Sequence, residues 1–196
     1  MAQMPFYRPC PIGTLETKRL ILRPVELADA DRIQKLFGCW NVLKFMATAV
    51  PWPFPVTGAK DYIESILPRI GAMEQYYWVI IEKALPDRGL VGVIALTPSS
   101  DNDNRGFWLG EEFWGRGIMK EANLAVNDFA FGPLEMQELR LNNAAPNLAS
   151  HRLKELAGAE IVAVTQDEYN SGRFDTIRWR LTAEQWTANR HNFERE

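Results

Sequence analysis

The sequence predicts one α/β domain, a mixed sheet with helices on both faces. Three observations carry this prediction. β-rich runs and helical repeats both interleave and cluster along the chain, a pattern of layered sheet and helix rather than of a bundle or a pure sandwich. The chain has 196 residues, 46% hydrophobic and 24% charged, enough to bury a full core without disulfide or metal staples. Neither an internal repeat nor a long polar linker divides it.

The elements follow in order. Residues 1–13 read as an irregular arm, interrupted by Pro5, Pro9 and Pro11 and lacking the continuous apolar stretch of a signal peptide. The domain proper spans 14–182. Arg19–Arg23 alternates as a short strand that Pro24 ends. Leu27–Phe37 reads as a helix, with Ile33, Leu36 and Phe37 at helical spacing and Gly38 as its stop. Pro51-Trp52-Pro53-Phe54-Pro55 is neither helix nor central strand, because alternate prolines remove donors and force extended backbone. Thr57 then caps a second helix carrying Tyr62, Ile63 and Ile66, which Pro68 should kink or end. Tyr76–Lys83 and Leu90–Leu96 flank a turn at Pro86–Gly89 and read as a hairpin. Arg105–Leu109 is a third strand after the polar run 99–104, in which Asp101 and Asp103 read as turn formers. From Ile118 the pattern is helical, with Ala122, Ala125, Val126 and Phe129 on the same face. Glu138–Asn142 is a short strand. Asn147–Ala157 is a helix with Leu148, Arg152 and Leu156 at helical spacing and Gly158 as its stop. Ile161–Thr165 and Phe174–Leu181 are strands around an Asn170-Ser171-Gly172 turn. The tail, 183–196, holds one polar helical turn and then frays.

Charge and cysteine usage narrow the function classes. A formal net charge of -3 argues against bulk nucleic acid as the main partner, which calls for a basic surface. A mildly acidic chain better suits a cationic small molecule or a peptide. Cys10 and Cys39 give neither a disulfide framework nor a metal-ligand cluster, so no metal site is expected and a reducing cytoplasm is the default location. The apolar runs fall far below membrane-span length.

The segment richest in chemistry is strand, Gly115-Arg116-Gly117, helix. A glycine turn feeding a helix N-terminus leaves backbone N–H groups unpaired, and the helix dipole adds partial positive charge, so a phosphate or pyrophosphate is favoured there. A Rossmann fingerprint fails, because Lys120 stands where its third glycine belongs, and no Gly-Lys-Ser/Thr of a Walker loop is present. An ordinary turn uses glycines for the same geometry, so the loop alone leaves both readings open.

Its surroundings are more specific. Phe107–Ala122, FWLGEEFWGRGIMKEA, closely resembles the acetyl-CoA signature of the GNAT superfamily of N-acetyltransferases, whose loop reads Gln/Arg-x-x-Gly-x-Gly/Ala. Glu112 departs from that pattern at its first position. Asn147–Leu153, NLASHRL, resembles the N-x-x-S helix start of the branch that acetylates ribosomal-protein N-termini, the RimJ/RimL-like branch. Leu15–Pro24, LETKRLILRP, resembles that branch's first strand. The three segments lie in the right order, and the resemblance covers residues 14–182. It implies a GNAT fold, with a central mixed, mostly antiparallel sheet of six to seven strands.

The resemblance also implies a site. The backbone of Phe107, Trp108 and Leu109 would pair with the pantetheine arm of acetyl-CoA. The N–H groups from Phe113 through Trp114, Gly115, Arg116, Gly117 and Ile118 to Met119 would hold the pyrophosphate, and the Arg116 side chain would add charge or simply be solvated. Asn147 matches a position that commonly contacts the cofactor arm, and as a helix N-cap it serves both roles. Many members use a tyrosine seven residues after this asparagine as the acid. Here that position is Lys154, and the serine of N-x-x-S, Ser150, is the implied substitute, as an acid or as a hydrogen-bonding partner of the sulfur. Glu168, before Tyr169 at the final hairpin, resembles the branch's glutamate and is the expected general base. Trp52 and Phe54 are expected to wall the acceptor site, with a loop packed on the core as the bland alternative. His151, next to Ser150, is expected in a surface or cap role, since adjacent helical residues point in different directions.

The function expected is direct transfer of an acetyl group from acetyl-CoA to a primary amine, a protein or peptide N-terminal α-amine in the first instance. A polyamine or an aminoglycoside is the alternative acceptor, a deep acidic pocket favouring it and an open groove favouring a peptide. A non-catalytic acyl-CoA sensor is the alternative class. The partners are acetyl-CoA and the amine acceptor, with room for a homodimer and no membrane or nucleic acid.

Overall fold

Two strands that are apolar but for the glutamate ending the first set the centre of the molecule. In the computed structural model, which describes residues 13–194, β3 (Tyr76–Glu82) and β4 (Leu90–Leu96) pair antiparallel, and all seven residues of β4 are buried. Runs of this kind without alternation need cover on both faces. The ring contacts show that cover: Tyr77 packs on Tyr62 of α3 (Gly58–Gly71) at 5.8 Å, while its neighbours Tyr76 and Trp78 turn the other way onto Phe129 of α4 (Ile118–Phe131) at 5.1 and 5.4 Å. Alternation along β3 therefore places α3 and α4 on opposite faces. α1 (Ala30–Phe37) packs beside α3, preceded by a single 3-10 turn at Leu27–Asp29 and followed by the short α2 (Trp40–Leu43).

The first sheet has the order β1 (Leu15–Glu16), β2 (Leu20–Pro24), β3, β4, β5 (Arg105–Leu109); the second has the order β6 (Glu138–Ala144), β8 (Gly172–Thr182), β7 (Glu160–Tyr169). Every ladder is antiparallel. The mixed α/β architecture is as expected, but the described strands number eight and fall into two sheets. They split because β5 and β6 touch only at one end, where Asn104 N–H donates to the Arg140 carbonyl at 2.7 Å and Arg140 N–H to Asn104 Oδ1 at 2.6 Å. Beyond that hinge no ladder joins them, and a wedge opens between the sheets. α5 (Leu148–Leu156) follows β6 into the mouth of this wedge.

Several boundaries differ from expectation for physical reasons. α3 runs through Pro68 to Gly71, because burial of Ile66 and Ile70 holds its last turn despite the lost donor. Thr57 stands at the N-cap, yet its hydroxyl donates to Asp61 Oδ2 at 2.7 Å rather than receiving a helix N–H. The final hairpin is longer than predicted at both strands, since β7 is an exposed edge without the alternation that burial imposes. Through Glu194 the tail is helical rather than frayed: α6 (Ala183–Asn189) and α7 (His191–Glu194) bury Trp186 and Phe193 against α4 and each other. Thr182 and Gln185 form a reciprocal capping box at the start of α6, and Trp186 Nε1 donates to Asp128 at 3.0 Å. The arm expected over 1–13 lies outside the described residues except for Gly13, whose carbonyl accepts the Trp78 indole N–H at 3.1 Å, and Cys10 lies outside them as well.

Candidate active site

The wedge between the sheets is an open cleft of about 1020 Å³, at the upper end of the roughly 300–1,000 Å³ usual for small-molecule sites. One wall is β5. The bond from Gly110 N–H to the Val91 carbonyl and the pairing of Val93 with Trp108 show that even-numbered residues of β5 bond inward to β4. Strict alternation then turns the backbone groups of Phe107 and Leu109 toward the cleft. The Leu109 carbonyl is already taken by the Trp114 indole N–H at 2.9 Å, which leaves the remaining groups of that edge for a ligand.

At one end of the edge the chain makes a 3-10 turn, Glu111–Phe113, and enters α4 through Gly115 and Gly117, both at φ +72°. That left-handed conformation favours glycine. A Cβ at Gly115 would meet nothing within 4 Å, so the space beside the loop is open to an approaching group. The helix opens on Gly117, Ile118 and Met119, whose N–H groups have no intrahelical partner. Arg116 contributes backbone here but not free charge: its guanidinium bonds Glu82 at 2.6 Å and lies over the Phe113 ring. Behind the loop, Glu121 clamps the first strands to α4. Its carboxylate accepts from the Thr17 hydroxyl at 2.5 Å and from Arg19 N–H at 2.7 Å and Nε at 2.5 Å. Burial alone would raise the Glu121 pKa, but these donors outweigh it and hold the carboxyl below its ordinary value.

The opposite wall is β6 and α5. Asn147 is the N-cap of α5, its Oδ1 accepting Ser150 N–H at 3.2 Å, and both residues line the cleft. The face that carries Leu148, Arg152 and Leu156 is not the buried one: Leu148 is exposed, while Ser150 and Lys154 are buried. Lys154 Nζ donates to Ser150 Oγ at 2.7 Å. Burial lowers the Lys154 pKa to about 7, against a raising influence of Asp103 and a further lowering one of Arg105. Asp103 also lines the cleft. It is more than a turn former: its carboxylate accepts Arg105 N–H at 3.2 Å, and burial raises its pKa to about 6. Asn142 Oδ1, on β6 in the same cleft, has no partner, an acceptor suited to an amide of an extended ligand.

The floor at the other end comes from the β7–β8 hairpin tip, which brings Glu168 and Tyr169 to the cleft. The tip is stitched to the segment after α2. Asn170 Nδ2 donates to the carbonyls of Leu43 at 3.1 Å and Val50 at 2.9 Å, Ser171 Oγ to that of Lys44 at 2.6 Å, and Tyr169 pairs with Ala47 across an isolated bridge. The Glu168 side chain is 61% exposed and 3.9 Å from Arg173. Tyr169 shares a short 2.5 Å hydrogen bond with Thr176. Every residue predicted for the carrier, the acid and the base thus borders one cleft. Trp52 and Phe54 do not border it. Phe54 packs edge-on against Phe37 at 5.2 Å and over Gly58, and exposed Trp52 lies against Trp40 at 5.2 Å. The cleft wall expected of them is built by Lys44–Thr48 instead, a short segment whose apolar Phe45 and Met46 are too few to show a helical or strand period. His151 stacks edge-on against Trp179 at 4.7 Å, facing Glu155.

A glycine-opened helix N-terminus beside an unpaired strand edge is built for an extended ligand with a diphosphate at one end and amides along its length. Residues 19–160 match the family model described as Acetyltransferase (GNAT) domain. The chain belongs to this acetyltransferase family, whose members use acetyl-CoA as acyl donor, and it is an acyltransferase. It is 28% identical over 142 residues to the uncharacterized N-acetyltransferase p20 of Bacillus licheniformis, which covers 71% of this chain and 78% of that protein. The fold is shared with the ribosomal-protein-S5-alanine acetyltransferase of Vibrio fischeri (TM-score 0.72, 17% identity, 88% of this chain and 98% of that one). It is also shared with RimL, a ribosomal L7/L12 alpha-N-protein acetyltransferase in complex with coenzyme A (TM-score 0.73, 14% identity, 86% and 97%). Among the described residues no helix is long and apolar enough to cross a membrane.

Proposed function

We propose that the acceptor is the N-terminal α-amine of a protein or peptide. The observation that carries this reading is the charge and shape of the acceptor end. The cleft is open rather than a closed well, and its ionisable lining includes Lys44, Arg105 and Arg178 beside Asp103, Asp167 and Glu168. A polyamine or an aminoglycoside, each bearing several ammonium groups, would call for a predominantly acidic pocket. An extended chain with a single terminal amine does not. The names of the ribosomal-protein acetyltransferases that share the fold point the same way.

In this reading Glu168 takes the proton of the attacking amine, directly or through water. An α-amine, with an ordinary pKa of about 7.7–8.0, is partly neutral at physiological pH and asks little of its base. Gly115, Gly117, Ile118 and Met119 hold the carrier's diphosphate, the edge of Phe107 and Leu109 and the cap Asn147 orient its arm, and Ser150 directs its hydroxyl at the departing sulfur. The acetyl-CoA donor supplies the activated acyl group. The test is release of free CoA by purified protein against a panel of peptides, polyamines and aminoglycosides. Peptide-dependent release is expected; release with polyamines or aminoglycosides alone would replace this acceptor, and thermal stabilisation by CoA without any release would make the chain a sensor.

A further inference from the structure

We propose that Lys154 is the proton source for Ser150, so that the two act as a relay from the protein interior to the leaving sulfur. The inference rests on the acetyl-transfer reading above and goes further by assigning a residue that lies behind the cleft wall. Three observations carry it. Lys154 Nζ donates to Ser150 Oγ at 2.7 Å, which occupies a lone pair of that oxygen and leaves its hydrogen for an acceptor in the cleft. Lys154 is buried, and its ammonium lies 5.6 Å from the centre of the Phe107 ring rather than in solvent. It is also placed among few charges. The ionisable groups facing it are Asp103 and Arg105 from the entry to β5, while α4 presents only the amides Asn123 and Asn127 to the cavity they share.

A buried lysine is costly unless its charge is used or compensated. Here the compensation is partial, because Asp103 supports the ammonium while Arg105 opposes it. Burial, only partly offset by Asp103, therefore leaves a readily surrendered proton, with the pKa of Lys154 lowered to about 7, near the value of about 8.5 ordinary for a thiol. A serine hydroxyl alone is far too weak an acid to protonate a thiolate. In the relay the acceptor nitrogen bonds to the acetyl carbon as the carbon–sulfur bond breaks. The sulfur takes the Ser150 hydroxyl hydrogen, and Ser150 Oγ takes one from Lys154 Nζ, which becomes a neutral amine. The proton lost by the acceptor goes to Glu168. After products leave, Glu168 returns a proton to solvent and Lys154 regains one, so the cycle closes. Lys154 touches no substrate and is a positioning residue in this scheme, acting through Ser150.

The test is the pH dependence of kcat at saturating substrates in wild type, Lys154→Met, Ser150→Ala, the double variant and Asp103→Asn. It is joined by nitrogen NMR titration of the lysine ammonium groups, with CoA-induced thermal stabilisation as the check on folding and binding. Wild type should lose activity as pH rises through about 7, because the charged form of Lys154 is the donor. Lys154→Met should lower kcat roughly 10–100-fold and remove that alkaline limb. Ser150→Ala should do the same, with the double variant no worse than either single one. Asp103→Asn removes the charge that supports the ammonium and should move the limb to lower pH. The Lys154 signal, identified by its loss in Lys154→Met, should titrate well below the other lysines. An unaltered alkaline limb in a folded, CoA-binding Lys154→Met protein, or a Lys154 signal that titrates with the surface lysines, overturns the relay alone. Absence of CoA release from wild type with every amine removes the transfer reading and the relay together.

Discussion

Replacing Gly117 by valine separates the diphosphate cradle from the rest of the fold. Gly117 sits at φ +72°, where an L-residue costs about 1–2 kcal/mol and a β-branched one lies at the upper end. Its new Cβ would approach Arg19 Nη2 at 3.3 Å, but that guanidinium is half exposed and can shift. The fold therefore loses about 2 kcal/mol from the 5–15 kcal/mol typical of a domain and still forms, with a Tm lowered by about 4–8 °C. Saturating wild type with CoA at 100 times Kd adds about 2.7 kcal/mol, or about 5–11 °C for a chain of this length. The valine methyls stand where the helix N–H groups must meet the diphosphate, so the variant should show no such gain. Gly117→Ala adds much of the strain without the branched bulk and should keep part of it. Differential scanning fluorimetry across a CoA titration measures all three proteins. A valine variant that melts lower yet gains as many degrees from CoA as wild type would refute the cradle.

Glu168→Gln should lower kcat about 100-fold or more while CoA stabilisation persists, because the proposed base lies on the β7–β8 tip and not on the glycine loop; activity equal to wild type from pH 6 to about pH 9 would remove it as base. Glu121→Gln should lose roughly 1–3 kcal/mol of stability at neutral pH, since three donors point at its charge. Its folded pKa lies below the unfolded value, so this stabilisation is present above about pH 4.3 and fades as pH falls through the folded pKa. Urea unfolding at neutral and acid pH measures the gap, and a gap that stays constant into acid contradicts the clamp. Trp186→Ala should cost about 3–5 kcal/mol, because the ring is 3% exposed and its N–H is bonded to Asp128. A variant within 1 kcal/mol of wild type, measured by chemical denaturation, would return the tail to a dispensable role.

What was legible in the sequence follows from where burial imposes a pattern. Leu90–Leu96 and Arg105–Leu109 are bounded as predicted, since one is an unbroken apolar run and the other ends at Gly110. Gly115-Arg116-Gly117 stood out because backbone geometry demands glycine there, and the family resemblance of its surroundings extended it to the residues proposed to hold the carrier. The edge strand β7 carries apolar Ile161, Val162 and Val164 exposed, so its sequence gives no period to read. The tail hides its role because two aromatic residues seven positions apart, Trp186 and Phe193, are its whole apolar signal. At the site, Trp52 and Phe54 were conspicuous as aromatics among prolines, yet one caps α3 and α1 and the other lies on Trp40. Asp103 and Lys154 were inconspicuous for the opposite reason. An aspartate in a polar turn and a lysine on a helix are ordinary in one dimension, and only the packing of the two sheets brings the half-buried Asp103 close to the buried Lys154.

The stitching of the final hairpin to the Leu43–Val50 stretch has a consequence for engineering. Asn170 and Ser171 clasp main-chain carbonyls rather than side chains, so side-chain exchanges in this stretch leave the bonds that join the two loops available, although Phe45 also packs on Phe174 and Met46 on the core. If the proposed acceptor end is right, retargeting the enzyme to another amine calls for point exchanges along 44–48 with the clasp left whole, whereas trimming or lengthening either loop would shift Glu168 relative to the rest of the cleft.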